Sequence, residues 1–277
     1  MSDARPAGPV TPPFLETKEY RRFAEFCDAC RCDRYIGLCH GPPVVGKTIS
    51  ARHYAQWERL EQTFASQRFD LDAVAAPDLA DYRSVVYTPS MTPTPNRLAD
   101  DLADLRWRLD LAVEAAREPD ADAREIAFPR GRSTELVLVD EADRLTFPTL
   151  ERLRDAYDRG RFGVVLTGMP GIEKRLARYA QFYSRVGFVH QFRALSADEL
   201  RFILERKWPE LGLAVDLTDF TDVEAMGAII WITGGNFRLL QRLLAQIARI
   251  LEINHLHQVT KEVVDTARIA WSSVSAK

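Results

Sequence analysis

The sequence predicts an α/β protein in which a parallel sheet is flanked by helices and followed by a small all-helical unit. Short, wholly apolar runs recur between helix-patterned segments, the rhythm of strands buried inside a parallel sheet. One run leads through a glycine-bounded loop directly into a helix. Beyond Ala194 the strand-like runs stop and helical periodicity alone continues.

The elements follow in order. The opening stretch MSDARPAGPVTPPF is Pro-rich and lacks the apolar centre of a secretory signal, so it reads as a flexible arm. Tyr35-Ile36-Gly37-Leu38-Cys39 is the first strand, and Thr48 to Leu60 the helix after it. Ser84-Val85-Val86-Tyr87 is the second strand, ended by Pro89. Asn96 to Ala116 has helical spacing, with Leu98, Leu102, Leu105 and Leu109 on one face. The charged stretch Arg117 to Arg132 contains Pro119, Pro129 and Gly131 and reads as a surface loop. Leu136-Val137-Leu138-Val139 is a third strand. Thr146 caps the next helix, with Pro148 in its first turn, Gly160 as its stop, and Leu150, Leu153 and Tyr157 facing inward.

Gly163-Val164-Val165-Leu166 makes the fourth strand and Arg185 to Phe192 the last, with a short basic helix between them over Gly171 to Gln181. Ser196-Ala197-Asp198-Glu199 is a capping box opening a helix through Leu200, Ile203 and Leu204. Helices Asn236 to Leu251 and Thr260 to Trp271 complete the chain, the first aligning Leu240, Leu243, Leu244, Ile247 and Leu251. This divides the chain into an arm (1–15), an α/β core (16–194) and a helical lid (195–277). No internal repeat is evident.

The 277 residues suffice for a real core, and 46% hydrophobic with 28% charged residues is a soluble globular balance. No apolar run approaches a membrane span, so a cytoplasmic location without membrane contact is expected. A formal charge of −3 lends no whole-chain support to nucleic-acid binding, although net charge averages over surfaces that never meet a partner. The cysteines are Cys27, Cys30, Cys32 and Cys39. Cys27-x-x-Cys30 could begin a zinc site, but no second such pair exists and Cys39 lies on the first strand. Reduced thiols are the alternative reading.

The chemistry concentrates in two places. Gly41-Pro42-Pro43-Val44-Val45-Gly46-Lys47-Thr48 spells G-x-x-x-x-G-K-T, a complete phosphate-binding loop. Gly41 and Gly46 permit backbone angles strained for other residues, so loop amides can turn inward around phosphate oxygens at a helix N-terminus. Lys47 would reach the β- and γ-phosphates, and Thr48 would offer its hydroxyl to Mg²⁺. Downstream, Leu136 to Val139 delivers Asp140 and Glu141 to a strand end. Asp140 would hold the Mg²⁺ shell and Glu141 would polarise the attacking water. The two together predict a site for ATP and Mg²⁺.

Asp140-Glu141-Ala142-Asp143-Arg144 resembles the Walker B segment of AAA+ ATPases. With Leu145 and the later Leu166-Thr167-Gly168-Met169-Pro170, it is similar to the TniB/TnsC group, regulators of DNA transposition related more distantly to the Mu phage B protein and IstB. The likeness spans roughly Tyr35 to Val264. It implies a P-loop AAA+ core with a helical lid, Thr167 as the sensor-1 residue at the γ-phosphate or lytic water, and Arg238 in Gly234-Gly235-Asn236-Phe237-Arg238 as a sensor-2 arginine. Arg185 stands where such ATPases place an arginine finger toward the next subunit, with Arg178 as its rival. In TnsC-like filaments basic residues after the second core strand track DNA; here Thr94 and Arg97 occupy that region, with little positive charge around them.

The leading functional expectation is an ATP-dependent protein that forms a homo-oligomeric ring or helical filament on double-stranded DNA. It would recruit a transposase, with other transposon-encoded targeting proteins as further partners, and hydrolysis would disassemble it. The alternatives are an AAA+ loader or remodeller in replication or repair, and a nucleotide-dependent signalling switch.

Overall fold

A computed structural model of the chain describes residues 14–65, 77–118, 132–211 and 219–272. Its sheet has five strands: β1 (Ile36–His40), β2 (Ser84–Tyr87), β3 (Leu136–Val139), β4 (Gly163–Gly168) and β5 (Val186–Gln191). All neighbours pair in parallel, in the order β2-β3-β4-β1-β5. β2, β3 and β4 are buried along their whole length, as their unbroken apolar runs require, whereas β5 at one edge alternates between half-buried and exposed residues. In register, Leu38 meets Leu166 and Cys39 meets Thr167, while Val139 lies opposite Leu166 on the other side of β4. The loops that follow β1, β3 and β4 therefore leave the same edge of the sheet side by side.

Helix α1 (Lys18–Asp33) lies outside the sequence expectations. Thr17 caps it by accepting from the Tyr20 amide at 3.0 Å, and Arg34 ends it in the left-handed region. Its face of Phe23, Phe26, Cys27 and Cys30 packs so closely that a Cβ on Gly37 would lie 2.3 Å from Cys30 Sγ, and one on Gly163 2.2 Å from Cys30 O. Cys27 and Cys30 are thus core residues, and burial pushes the Cys30 thiol up to about 12 and raises that of Cys27 too. Cys32 is exposed, and among the described residues no cluster of three or more His, Cys, Asp or Glu is placed to hold a metal ion.

The helix expected from Thr48 to Leu60 is broken in two, α2 (Lys47–Tyr54) and α3 (Trp57–Ala65), because Gln56 adopts φ +50° between them. The break lets Trp57 and Leu60 enter the core. α4 (Pro95–Arg117) buries Leu98, Leu102 and Leu109 as the spacing predicts; of the loop expected after it, residues 119–131 lie outside the described residues. α5 (Phe147–Gly160) follows Thr146, but Gly160 is its last residue rather than its stop. Arg161 takes the left-handed cap instead, and Gly160 is required because a Cβ there would lie 2.0 Å from the Phe162 ring. The single helix expected over Gly171 to Gln181 is two short ones, α6 (Ile172–Leu176) and α7 (Ala180–Tyr183).

After β5 come α8 (Ala197–Lys207), α9 (Phe220–Thr233), α10 (Phe237–Asn254) and α11 (Lys261–Ser272). The Ser196 capping box is present in full. α9 was not expected: apolar residues surround it on every side, so it has no periodic stripe to read. These helices close a second hydrophobic cluster that begins at Leu195, whereas the first ends at Phe192. Among the described residues no helix is long and apolar enough to cross a membrane.

Candidate functional site

The loop from Gly41 to Thr48 leaves β1 beside the ends of β4 and β5. Gly41 donates its amide to Gly168 O at 3.3 Å, and Phe192 donates to His40 O at 2.8 Å. A Cβ on Gly41 would stand 2.2 Å from Phe192 O, so only glycine fits there. Gly46 has φ +112° and leads into α2, whose first residue is Lys47. Val44 adopts φ +66°, a left-handed conformation that is costly for a β-branched residue, about 1–2 kcal/mol or more. Such strain persists only where the surroundings impose it, and here the anchored glycines on either side do so. Pro42 and Pro43 are exposed on the outer turn, and Val45 is buried beneath it.

Lys47 Nζ donates to Gly41 O at 2.7 Å and to Pro42 O at 2.6 Å, which folds the ammonium over its own loop. Burial lowers its pKa, opposed by Cys39 and by the carboxylates of Asp140 and Asp143. Thr48 is exposed and its hydroxyl makes no hydrogen bond with the described residues. Asp140 is buried at the end of β3, its amide donating to Tyr87 O at 2.8 Å. Thr167, wholly buried on β4, donates its hydroxyl to Asp140 Oδ1 at 2.5 Å. That bond occupies its one proton, so Thr167 reaches the site through Asp140. Glu141 takes φ +50° in the turn after β3 and forms an ion pair with Arg144. The loop Gly41–Thr48, Asp140, Glu141 and Thr167 are therefore brought to one edge of the sheet.

The donor set fits a magnesium-bound triphosphate. Two oxygens of hard-ligand type, the Thr48 hydroxyl and the second Asp140 carboxylate oxygen, remain available beside a cradle of inward-turned amides and one ammonium. An adjoining apolar cleft is lined by Thr17, Val45, Ile49, Phe192 and Phe237. It continues into a cavity of about 830 Å³ between α2, α3 and α10.

Other expected residues lie apart. Arg238 is exposed in the first turn of α10, without a hydrogen bond or ion pair among the described residues, while its neighbour Phe237 lines the cleft. Asn236 caps that helix, and Gly235, at φ +83°, is needed because a Cβ would lie 2.3 Å from Leu195 O. Arg185 precedes β5 at the opposite end of the sheet from the loop, its carbonyl accepting from the Ile36 amide. It forks onto Asp158 at 2.7 and 2.9 Å and donates to Gln181 O at 2.5 Å; the fork holds the Asp158 carboxyl below its usual range. Arg178 is exposed, and its side chain has no partner among the described residues. Thr94 caps α4, accepting from the Arg97 amide at 3.3 Å, and Arg97 pairs with Asp101 at 2.8 Å.

Several site residues escaped the sequence reading. Asp143 accepts the Met169 amide at 2.7 Å, and Arg175 donates to Asp143 O and Ala142 O at 2.8 and 3.0 Å, tying the turn after β3 to the one after β4. Arg144 donates to Pro89 O at 2.7 Å. Asp143 and Arg144 stood inside the acidic motif, but nothing in the sequence distinguished Arg175 from its basic neighbours.

Comparison with known proteins adds three findings. The AAA domain family matches residues 31–176. A "Potential ATP-binding protein" of Staphylococcus aureus is 46% identical over 259 residues, 92% of this chain and 95% of the relative. The Mu-like prophage FluMu DNA transposition protein B of Haemophilus influenzae is 23% identical over 238 residues, 83% of this chain and 70% of that protein. Among solved structures, Thermotoga maritima RuvB, a Holliday junction branch migration motor, superposes with a TM-score of 0.59 at 16% identity, over 93% of this chain and 70% of that one. The Aeropyrum pernix ORC1 protein in complex with DNA gives 0.56 at 19%, over 93% and 66%. At these identities the two structures share the fold.

Proposed function

This chain belongs to the AAA domain family of P-loop ATPases, and from that premise we propose that it is an ATP-hydrolysing regulator of DNA transposition, of the TniB/TnsC type. ATP-bound subunits assemble on double-stranded DNA as a ring or helical filament and recruit a transposase; hydrolysis releases them. The observation that carries the reading is the meeting of the Gly41–Thr48 loop with Asp140 and Glu141 across β1, β4 and β3. The transposition half of the reading draws support from the Haemophilus relative.

Loop amides and Lys47 hold the β- and γ-phosphates, Thr48 and Asp140 hold Mg²⁺, and Thr167 fixes Asp140. Bound Mg²⁺ supplies charge neutralisation at the phosphate oxygens. Glu141 orients a water whose oxygen bonds to the γ-phosphorus as the bond to the ADP oxygen breaks; the water's proton passes to the carboxylate and on to released phosphate. Arg238 reaches the phosphates from the lid, and an arginine of the neighbouring subunit, Arg185 or Arg178, completes the site. On the DNA side the hydroxyls Thr88, Ser90, Thr92 and Thr94 all face solvent, with Arg97 beside them, while Pro89 and Pro93 anchor the loop in the protein. Such contacts read backbone rather than sequence.

The test is co-sedimentation of the full chain with duplex DNA, with Mg²⁺ and a non-hydrolysable ATP analogue. Association at low salt that weakens steeply as salt rises is expected. Absence of DNA association at low salt would falsify the assembly reading, and capture of a helicase in place of a transposase in pull-downs would favour the loader alternative.

A further inference from the structure

Arg144 occupies a position between two parts of the proposed machinery that have no other side-chain link among the described contacts. One terminal nitrogen, Nη2, pairs with Glu141 Oε2, and the other, Nη1, donates to Pro89 O at 2.7 Å. Pro89 is buried, yet it sits between the exposed hydroxyls of Thr88 and Ser90 in the loop that joins β2 to α4. The turn bearing Glu141 is itself tied to that loop's root, since Asp140 donates its amide to Tyr87 O. The guanidinium is planar, and its two ends are fixed relative to each other, so a shift of Pro89 is transmitted to the carboxylate.

We propose that Arg144 is a positioning residue through which the β2–α4 loop controls Glu141, so that a phosphate backbone bound on the loop sets the rate of ATP hydrolysis. The inference rests on the reading of Glu141 as the residue that orients the lytic water. In the free subunit the guanidinium engages the carboxylate, and a carboxylate paired with a cation is a poorer acceptor for a water's proton. The pair is half-exposed, with side chains 30% and 48% accessible, so water screens it and a modest displacement releases it. Phosphate oxygens that bind the hydroxyls of Thr88, Ser90 and Thr92 draw on the segment whose carbonyl holds the other end of the fork. Its loss frees Arg144 from its position and Glu141 from Arg144. Turnover then responds to the polymer although Glu141 never touches it.

The test compares Arg144→Ala and Arg144→Lys with the parent in the full chain, reading ATP turnover with and without duplex DNA, nucleotide affinity, and amide hydrogen exchange over residues 88–94. Arg144→Ala should raise DNA-free kcat about five-fold or more with nucleotide affinity unchanged, and lose most of the DNA stimulation. Exchange in the loop should quicken without DNA. Arg144→Lys, which keeps the charge but not the two-ended fork, should restore the low basal rate and not the DNA response. A basal rate and loop exchange equal to the parent's, in a variant that binds nucleotide normally, overturns the proposal. Should Arg144→Ala fail to bind nucleotide, the Lys variant decides alone: a DNA response equal to the parent's overturns the proposal. Glu141→Gln separates this from the reading beneath it. If that variant hydrolyses ATP at the parent rate, the role of Glu141 fails; if it is inactive while Arg144→Ala behaves as the parent, only the coupling fails.

Discussion

Arg185 and Arg178 differ in what they are free to do. Arg185 commits four hydrogen bonds to Asp158, Gln181 and Ser184, whereas the Arg178 side chain commits none among the described residues. An arginine serving a neighbouring subunit's phosphates must have donors to spare, so Arg185 must leave Asp158 on assembly or yield the role to Arg178. Arg185→Ala is expected to leave monomer nucleotide binding intact and to remove DNA-stimulated hydrolysis. Stimulated turnover that survives in Arg185→Ala and disappears in Arg178→Ala would transfer the assignment. Thr167 shows the same logic inside one subunit. Its place beside the acidic strand was legible from the strand order of apolar runs. That its proton goes to Asp140 was not, because a hydroxyl's partner depends on packing across β3 and β4.

Secondary structure was legible where a pattern was one-sided and opaque where it was not. β2, β3 and β4 announce themselves as apolar runs because both faces are buried, and α10 because its leucines repeat on one face. α9, apolar all round, offered no period, and α1 hid behind cysteines and charges that suggested a metal. α1 proves to be tied to the sheet by a buried carboxylate. Glu19 Oε1 accepts the Arg193 amide at 3.1 Å and has His190 Nε2 at 3.2 Å, with Arg22 at 3.7 Å from its other oxygen. Burial alone would raise its pKa, but His190, the Arg193 amide and Arg22 together hold it below the usual 4.5. A depressed carboxylate pKa contributes stability above 4.5 that is lost as pH falls through the folded-state value. Glu19→Gln should therefore cost about 1 kcal/mol at neutral pH and progressively less in acid, measured as Tm against pH. A gap to the parent that stays constant from pH 7 to pH 3 would remove Glu19 from this role.

At the scale of the whole molecule, function depends on parts the sheet order brings together from distant sequence. Ninety-three positions separate Lys47 from Asp140, yet β1 and β3 flank β4, so their loops leave the same edge. The acidic net charge and the sparse basic residues around Thr94 and Arg97 imply that one subunit holds DNA weakly. Many subunits on one duplex would sum those contacts, which is why nucleotide-dependent assembly stands before DNA binding in this account. Nucleotide capture comes first of all, and calorimetric titration of the full chain with MgATP measures it directly. Saturable heat from a single class of site, abolished by Lys47→Ala in a variant with unchanged circular dichroism, is the expected result. A folded parent protein that releases no saturable heat with MgATP would contradict the account at its root.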